Sequence, residues 1–402
     1  MVAPRSDCTF GYAEQLNQVS HWHDASTIYG STQFQTDILR ERKGGRMKTF
    51  SYQNRQLLPL DWKNNDCIGF EKGLRCFLSG DSRVNQLIGL TVMQTVWHRE
   101  HNRVAGELAR INPRWDDERL FQEARRVVNA ELQHITYNES LPVLLGRPVM
   151  EAYCLLPRTS GFFTGYNDTG NGNVFNEFST AAYRYGHSMV SHWFELVDDN
   201  GATYDRLHVK DWFNNPHPLF KADVLDVVMR GLTISNPEAS DELFVSDLTN
   251  MLFKTPESKH GGDLIAFNIW HGRDHGLPGY NAYRGSFGLR KAKTFSELND
   301  FFLRRQLTRW HFSIKALKKL ISILRGCLKK WIHPVVFLGI LSCIWLLISL
   351  HASRRLIDIF MRLAIRAAHV TNNIFNNKFS IIKVPSRVRK RSLELLSKGD
   401  AG

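Results

Sequence analysis

The chain has 402 residues, is 43% hydrophobic and carries a formal charge of +13 at neutral pH, so it can bury a large core and could hold two or three domains. The charge is unevenly placed: residues 1–300 hold 32 Lys and Arg against 36 Asp and Glu, a balance of −4, whereas residues 301–402 hold 20 against 3, or +17. This split argues against a nucleic-acid-binding protein as a whole and sets the last quarter apart as a solvated or membrane-flanking segment.

The first residues, Met1 to Ser6, lack the apolar run of a secretory signal, so the reading is either a cytoplasmic chain or one whose start lies further upstream. Residues 7–60 read as loops and short helices punctuated by Asp24, Gly30 and the Gly44-Gly45 pair. Within them Ser20, Asp24 and Ser26, with the carbonyl of Trp22, place oxygens at alternate positions, a pattern that suits calcium but also suits an ordinary Ser/Asp turn. Cys67 and Cys76 lie nine apart with two glycines between them, which predicts a small disulfide-closed loop. Two glycosylation sequons, at Asn138 and Asn167, agree with an oxidising, secretory setting.

Gly80-Asp81-Ser82-Arg83 stands at the entry to a helix; Arg83 could polarise a bound oxygen species or simply cap and pair. From Leu87 the apolar spacing of Leu90, Met93, Val96 and Trp97 predicts a long amphipathic helix, broken at Asn112-Pro113 and followed by a second over Asp117 to Tyr137. His98 and His101 do not follow the zinc-protease order and read as a hydrogen-bonded helix end.

The stretch Phe178 to Val190 is apolar and aromatic, long enough for a buried helix, and carries Arg184 and His187 one turn apart. A neutral imidazole is a good iron ligand and a guanidinium suits an anionic group on the same cofactor; the bland reading is a core histidine bonded to a carbonyl. An irregular polar region follows to Pro216, then a helical one to Leu252. Ala266 to Asn281, with three glycines and a proline, reads as a loop rich in hydrogen-bonding groups, the composition of a functional wall. GxSxG, Walker and GxGxxG motifs are absent, which removes the usual support for hydrolase and nucleotide readings. In the basic tail, Trp331 to Leu350 is uncharged and flanked by Lys329-Lys330 and Arg354-Arg355, the length and setting of a transmembrane helix.

Taken together, Asp24-Ala25-Ser26-Thr27-Ile28-Tyr29-Gly30-Ser31, Gly80-Asp81-Ser82-Arg83, Leu90 to Met93 running on to Arg99-Glu100-His101-Asn102-Arg103, Asn112 to Trp115, Ile135-Thr136-Tyr137, Tyr183-Arg184-Tyr185-Gly186-His187 and Arg273 to Asn281 resemble the animal haem peroxidases, arthropod and peroxidasin-type members above all. The resemblance implies a mainly α fold over residues 1–300, a partial peroxidase-like domain, followed by a divergent tail over 301–402. It implies haem b with His187 as axial ligand of the iron, Asn268 accepting the other ring N–H, Arg83 as distal arginine and Arg184 on a propionate. Ser20, Trp22, Asp24 and Ser26 match the family's calcium loop. Gln86 and Leu87 stand where mammalian members form covalent links to haem, so the haem here is expected without a glutamate ester. His271 stands where a second propionate arginine is common.

The family's distal histidine lies upstream of the calcium loop, yet none of the 19 residues before Ser20 is histidine, so the sequence is expected to be N-terminally incomplete. The implied activity is oxidation of a phenolic, halide or protein-tyrosine donor by hydrogen peroxide in a secreted or membrane-anchored protein. The alternative is a catalytically silent, peroxidase-like binding protein, extracellular or membrane-tethered.

Overall fold

The computed structural model describes residues 2–3, 14–63, 67–68, 73, 75–161, 172–255, 257–286, 289–294 and 297. The basic tail, with the helix expected over 331–350, lies outside the described residues, as does the Asn167 sequon. Among the described residues no helix is long and apolar enough to cross a membrane.

Helices carry the architecture, and among the described residues the strands form four two-stranded antiparallel pairs: β1 (Val2–Ala3) with β2 (Glu14–Gln15), β3 (Phe50–Tyr52) with β4 (Arg55–Leu57), β5 (Leu60–Asp61) with β6 (Cys76–Phe77), and β7 (Trp193–Val197) with β8 (Thr203–His208). The centre is an antiparallel pair of long helices, α3 (Ile88–Ile111) and α4 (Asp117–Ile135). Asn112 is the C-cap of α3, and Asp116 caps α4 by accepting the N–H of Arg119, with Asp117 and Glu118 adding negative charge to its first turn. Both long helices thus follow the spacing in the sequence, except that α4 passes at Thr136–Ser140 into a π-helical turn, where Asn138 of the first sequon is exposed, and then into the short helices α5 (Leu141–Leu145) and α6 (Arg147–Ala152).

One stripe of α3, Ile88 and Val92, packs with Leu57, Leu58, Phe77, Leu196, Leu219 and Val228; further along, Trp97 joins Ile28, Tyr29, Leu39, Met47 and, from α4, Phe121 and Val128. The same helix therefore welds two cores. His98 and His101 are buried in its middle rather than at its end: His101 bonds Tyr29 through Nδ1 (2.8 Å) and the Gly45 carbonyl through Nε2 (2.9 Å). Arg40, 1% exposed, pairs with Asp117 (2.8 Å) and Glu118 (2.5 Å) at the start of α4 while its guanidinium lies over the Phe121 ring. Burial of a cation is tolerable here because two carboxylates meet it, both held in the first turn of α4, where the helix favours negative charge.

Two short helices precede this pair, α1 (Ser26–Tyr29) and α2 (Gln33–Leu39), the latter with a full Thr32/Gln35 capping box. Gly80 fixes how α1 sits against the approach to α3. A Cβ at Gly80 would lie 2.3 Å from Gly30 N and from Ser26 O, while Asp81 N donates to Thr27 O (3.1 Å). These are backbone atoms that cannot swing aside. Gly80→Ala is expected to lower stability by at least ~1–3 kcal/mol, read as a fall in the urea midpoint at unchanged slope.

Cys67 and Cys76 form the expected disulfide. By closing a short loop it restricts the unfolded chain, and the Cys67→Ser/Cys76→Ser double variant should lose about 2–3 kcal/mol, checked by thermal melting against the oxidised wild type.

One stretch here departs from the sequence reading. The polar region after Val190 contains the β7–β8 hairpin, a bulge between Leu196 and Val197 absorbing its irregular turn. Helix α8 (Val224–Ile234) packs on this hairpin at Gly231, whose missing Cβ leaves room for the Glu195 carbonyl.

Candidate functional site

The stretch around His187 is not one long buried helix. A short helix, α7 (Asn176–Thr180), gives way at Ala181 to a 3-10 segment, Ala182–Met189. The tighter three-residue repeat stacks side chains three apart, so Arg184 and His187 project on one side. Tyr183, at 68% exposure, projects into solvent, while Ser188 and Met189 are buried.

The second wall is also different from the expected loop: Leu264–Asp274 is helix α10. Asp263 caps it by accepting from Ile265 N and Ala266 N, and only Gly272 of the local glycines lies inside it. Gly276, at φ +65°, and Pro278 come after its last turn, where they stop a helix rather than prevent one. Helix α10 presents Asn268 and His271.

A polar knot with no signature in the sequence ties α7 to α10. Thr180 Oγ1 lies 3.0 Å from Asn176 Oδ1 and 2.9 Å from His275 Nδ1, and His275 Nδ1 lies 2.7 Å from Asn176 Oδ1. Arg184 Nε donates to the Thr180 carbonyl at 2.8 Å. The guanidinium is therefore set by the same residue that holds the two helices together.

At the centre, His187 Nδ1 and Asn268 Oδ1 are both buried without a well-formed hydrogen bond, although the two side chains are near enough for Asn268 to pull the imidazole pKa upward. Asn268 Nδ2 is spent on the Leu264 carbonyl, which leaves its oxygen as the group to meet a ring N–H. Burial, reinforced by the charge of Arg184, outweighs that pull and depresses the His187 pKa to about 4. His187 is hence neutral at physiological pH, the form that ligates a metal. Burial likewise lowers the His271 pKa, with Arg184 adding to it, and His271 Nδ1 is a third buried, unpartnered atom.

Arg83 approaches this group from the 3-10 turn Ser82–Asn85, at the head of α3. Asp81 grips it in a fork, Nε to Oδ1 at 2.9 Å and Nη2 to Oδ2 at 2.7 Å, while accepting the Arg83 backbone N–H at 2.8 Å. Asp81 raises the guanidinium pKa and is itself lowered, chiefly by that side-chain bond. Burial lowers the Arg184 pKa, and the nearby charge of Arg83 lowers it further. Among the described residues Arg184 has no ion-pair partner, and two neighbouring cations without a carboxylate for one of them make a setting for an anion.

In the candidate calcium loop Ser20 Oγ donates to Asp24 Oδ2 (2.8 Å), and Asp24 Oδ1 accepts from Ser26 N (3.0 Å). The Ser20 and Asp24 side chains thus meet, Ser26 joins them through its backbone N–H, and the Trp22 side chain is turned out to solvent. Both nearby histidines have other contacts: His23 bonds Thr136 (2.8 Å) and His21 packs on Trp22.

The donor set fits a haem: a neutral imidazole, an amide oxygen behind it, a guanidinium without a carboxylate partner among the described residues and so suited to a propionate, and at Gly186 a position where a Cβ would meet nothing within 4 Å. The family profile for animal haem peroxidase matches residues 1–320. Chorion peroxidase of Drosophila melanogaster is 40% identical over 296 residues, covering 74% of this chain and 36% of that protein. The human peroxidasin homolog is 37% identical over 298 residues, covering 71% and 20% respectively. The chain thus spans about a third of the first relative's length and a fifth of the second's. Among solved structures, Peroxidase A from Dictyostelium discoideum superposes with a TM-score of 0.67 at 30% identity, covering 92% of this chain and 69% of that one. From its motifs, its helical fold and the convergence of His187, Asn268, Arg184 and Arg83, the chain belongs to the animal haem peroxidase family.

Proposed function

We propose that this protein is a haem-dependent peroxidase that oxidises a donor with hydrogen peroxide, and that residues 1–300 form its peroxidase-like domain. The observation that carries the reading is the buried His187–Asn268 pair, in which burial holds the imidazole neutral and an amide oxygen stands behind it. Haem, when bound, supplies the redox chemistry by which peroxide is reduced and electrons are drawn from the donor.

His187 holds the iron, and Asn268 orients the ring and raises its basicity by accepting its N–H. Arg184 neutralises a propionate, with His271 a weaker contact beside it because it is uncharged at neutral pH. Arg83, fixed in direction by Asp81, donates a hydrogen bond to a peroxide oxygen as negative charge grows on it. Gln86 offers an amide where an ester would need a carboxyl group, so the haem is the b type without that link. Calcium is assigned to Ser20, the Trp22 carbonyl, Asp24 and Ser26 on the support of the family likeness and of the contact between the Ser20 and Asp24 oxygens. The donor classes are small phenols, halides and protein tyrosines; nucleic acid is not a partner. The disulfide supports a secreted location, with anchoring through 331–350 as part of the same proposal.

The test is peroxide-dependent oxidation of guaiacol by the haem-reconstituted full chain. Turnover that disappears in His187→Ala is the expected result. A chain that binds haem at His187 yet turns over no faster than free haem would instead be a silent binding protein.

A further inference from the structure

Outside the haem site, the foot of the β7–β8 hairpin and helix α9 (Ser246–Thr249) bring together two imidazoles and a buried carboxylate that the peroxidase reading does not use. We infer that His192, His208 and Asp247 form a binding site for a divalent transition-metal ion of the zinc class.

The donor atoms of the three residues all lie within 4.8 Å of one another. His192 Nδ1 is 2.8 Å from Asp247 Oδ1, and His208 Nε2 is 3.5 Å from Asp247 Oδ2. Ligands about 2.0–2.2 Å from a tetrahedral ion are roughly 3.3 Å apart, so rotations of the rings by about an ångström would admit the ion. Two nitrogens and one oxygen, with a fourth position left for water, make a donor set for zinc, with copper and nickel as competitors.

The surroundings distinguish this group from a chance cluster of surface residues. The Asp247 side chain is 2% exposed, so its charge needs compensation that a surface carboxylate would take from water. Its Oδ2 also accepts the Lys210 N–H at 2.9 Å, which fixes the carboxylate plane. His208 aims Nε2 at the cluster and Nδ1 toward Asp211 Oδ2 at 3.8 Å, the carboxylate–imidazole–metal order that orients ligating histidines. Trp193 lies against the His208 ring with centroids 4.2 Å apart, and the Val209 N–H holds the His192 carbonyl at 2.8 Å. His192, at 37% side-chain exposure, leaves one side open for entry and for the fourth ligand. A bound ion would staple the hairpin to α9 through His192, which lies five residues along the chain from His187.

The experiment is zinc equilibrium dialysis of the chelator-stripped full chain at neutral pH, with metal counted by mass spectrometry. The wild type should retain a single zinc per chain, and His192→Gln and His208→Gln should each weaken its binding by more than about tenfold. Should His208→Gln fail to fold, His192→Gln decides alone, because that side chain is partly exposed and near-ultraviolet circular dichroism reports whether the fold is kept. A wild type that retains no zinc at micromolar concentration, or zinc retained equally by a folded His192→Gln, overturns the assignment. Haem plays no part in this readout, so it stands or falls apart from the peroxidase proposal.

Discussion

Replacing His187 by alanine is expected to weaken the binding of ferric haem by more than about 100-fold, seen as loss of the sharp Soret band in a haem titration of the full chain. The magnitude follows from what is removed. Losing a partner behind a metal ligand typically costs about 10–100-fold, and losing the ligand itself costs more. Asn268→Leu keeps the imidazole but removes the oxygen behind it, so its loss should fall within that 10–100-fold range. The order of the two variants matters as much as the sizes. An Asn268→Leu defect larger than that of His187→Ala would mean that α10, not the 3-10 segment, holds the iron.

The second large effect is on stability. His98 and His101 are buried as neutral imidazoles, their pKa values pushed down to about 3 and about 4 chiefly by burial. Unfolded, both would titrate near 6.5, so between 6.5 and the folded values the unfolded chain binds more protons and stability falls with pH. From pH 6.5 to pH 5, above the range in which most carboxylates respond, each contributes a loss of about 2 kcal/mol.

Glu131 works in the opposite direction. Burial and the charge of Glu100 raise its carboxyl to about 8, so the folded chain binds more protons than the unfolded one from 4.5 upward, and stability falls as pH rises toward 8. A stability maximum between pH 6 and 7 follows, with Glu131→Gln gaining roughly 1–3 kcal/mol at pH 8. Urea midpoints measured across pH 5 to 8 test both limbs. A profile flat from 6.5 to 5 would contradict the burial of neutral histidines in α3.

The parts of the fold that were legible in the sequence are those set by local pattern. Apolar spacing located α3 and α4, Asn112-Pro113 marked their junction, and the spacing of Cys67 and Cys76 gave the disulfide. The β3–β4 hairpin was not legible because its turn places Gln53 and Asn54 in the left-handed region, at φ 48° and 61°, without a glycine to signal it. Helix α10 was hidden for the opposite reason: its flanking glycines and proline read as a loop, although they lie mostly beyond its caps.

At the site, Arg184 and His187 announced themselves as polar groups in an apolar stretch. Asn268 became visible only through family likeness, since nothing local links it to a histidine 81 positions away. The Asp81 fork on Arg83 and the Asn176, Thr180 and His275 knot are products of tertiary packing, with no sequence period to betray them.

The central claim is that the His187 imidazole, backed by Asn268, holds haem iron. Resonance Raman spectroscopy of the ferrous full chain tests it directly. An iron–imidazole stretching band that shifts on ¹⁵N-histidine labelling and vanishes in His187→Ala is the predicted result; the same band persisting in His187→Ala would contradict it.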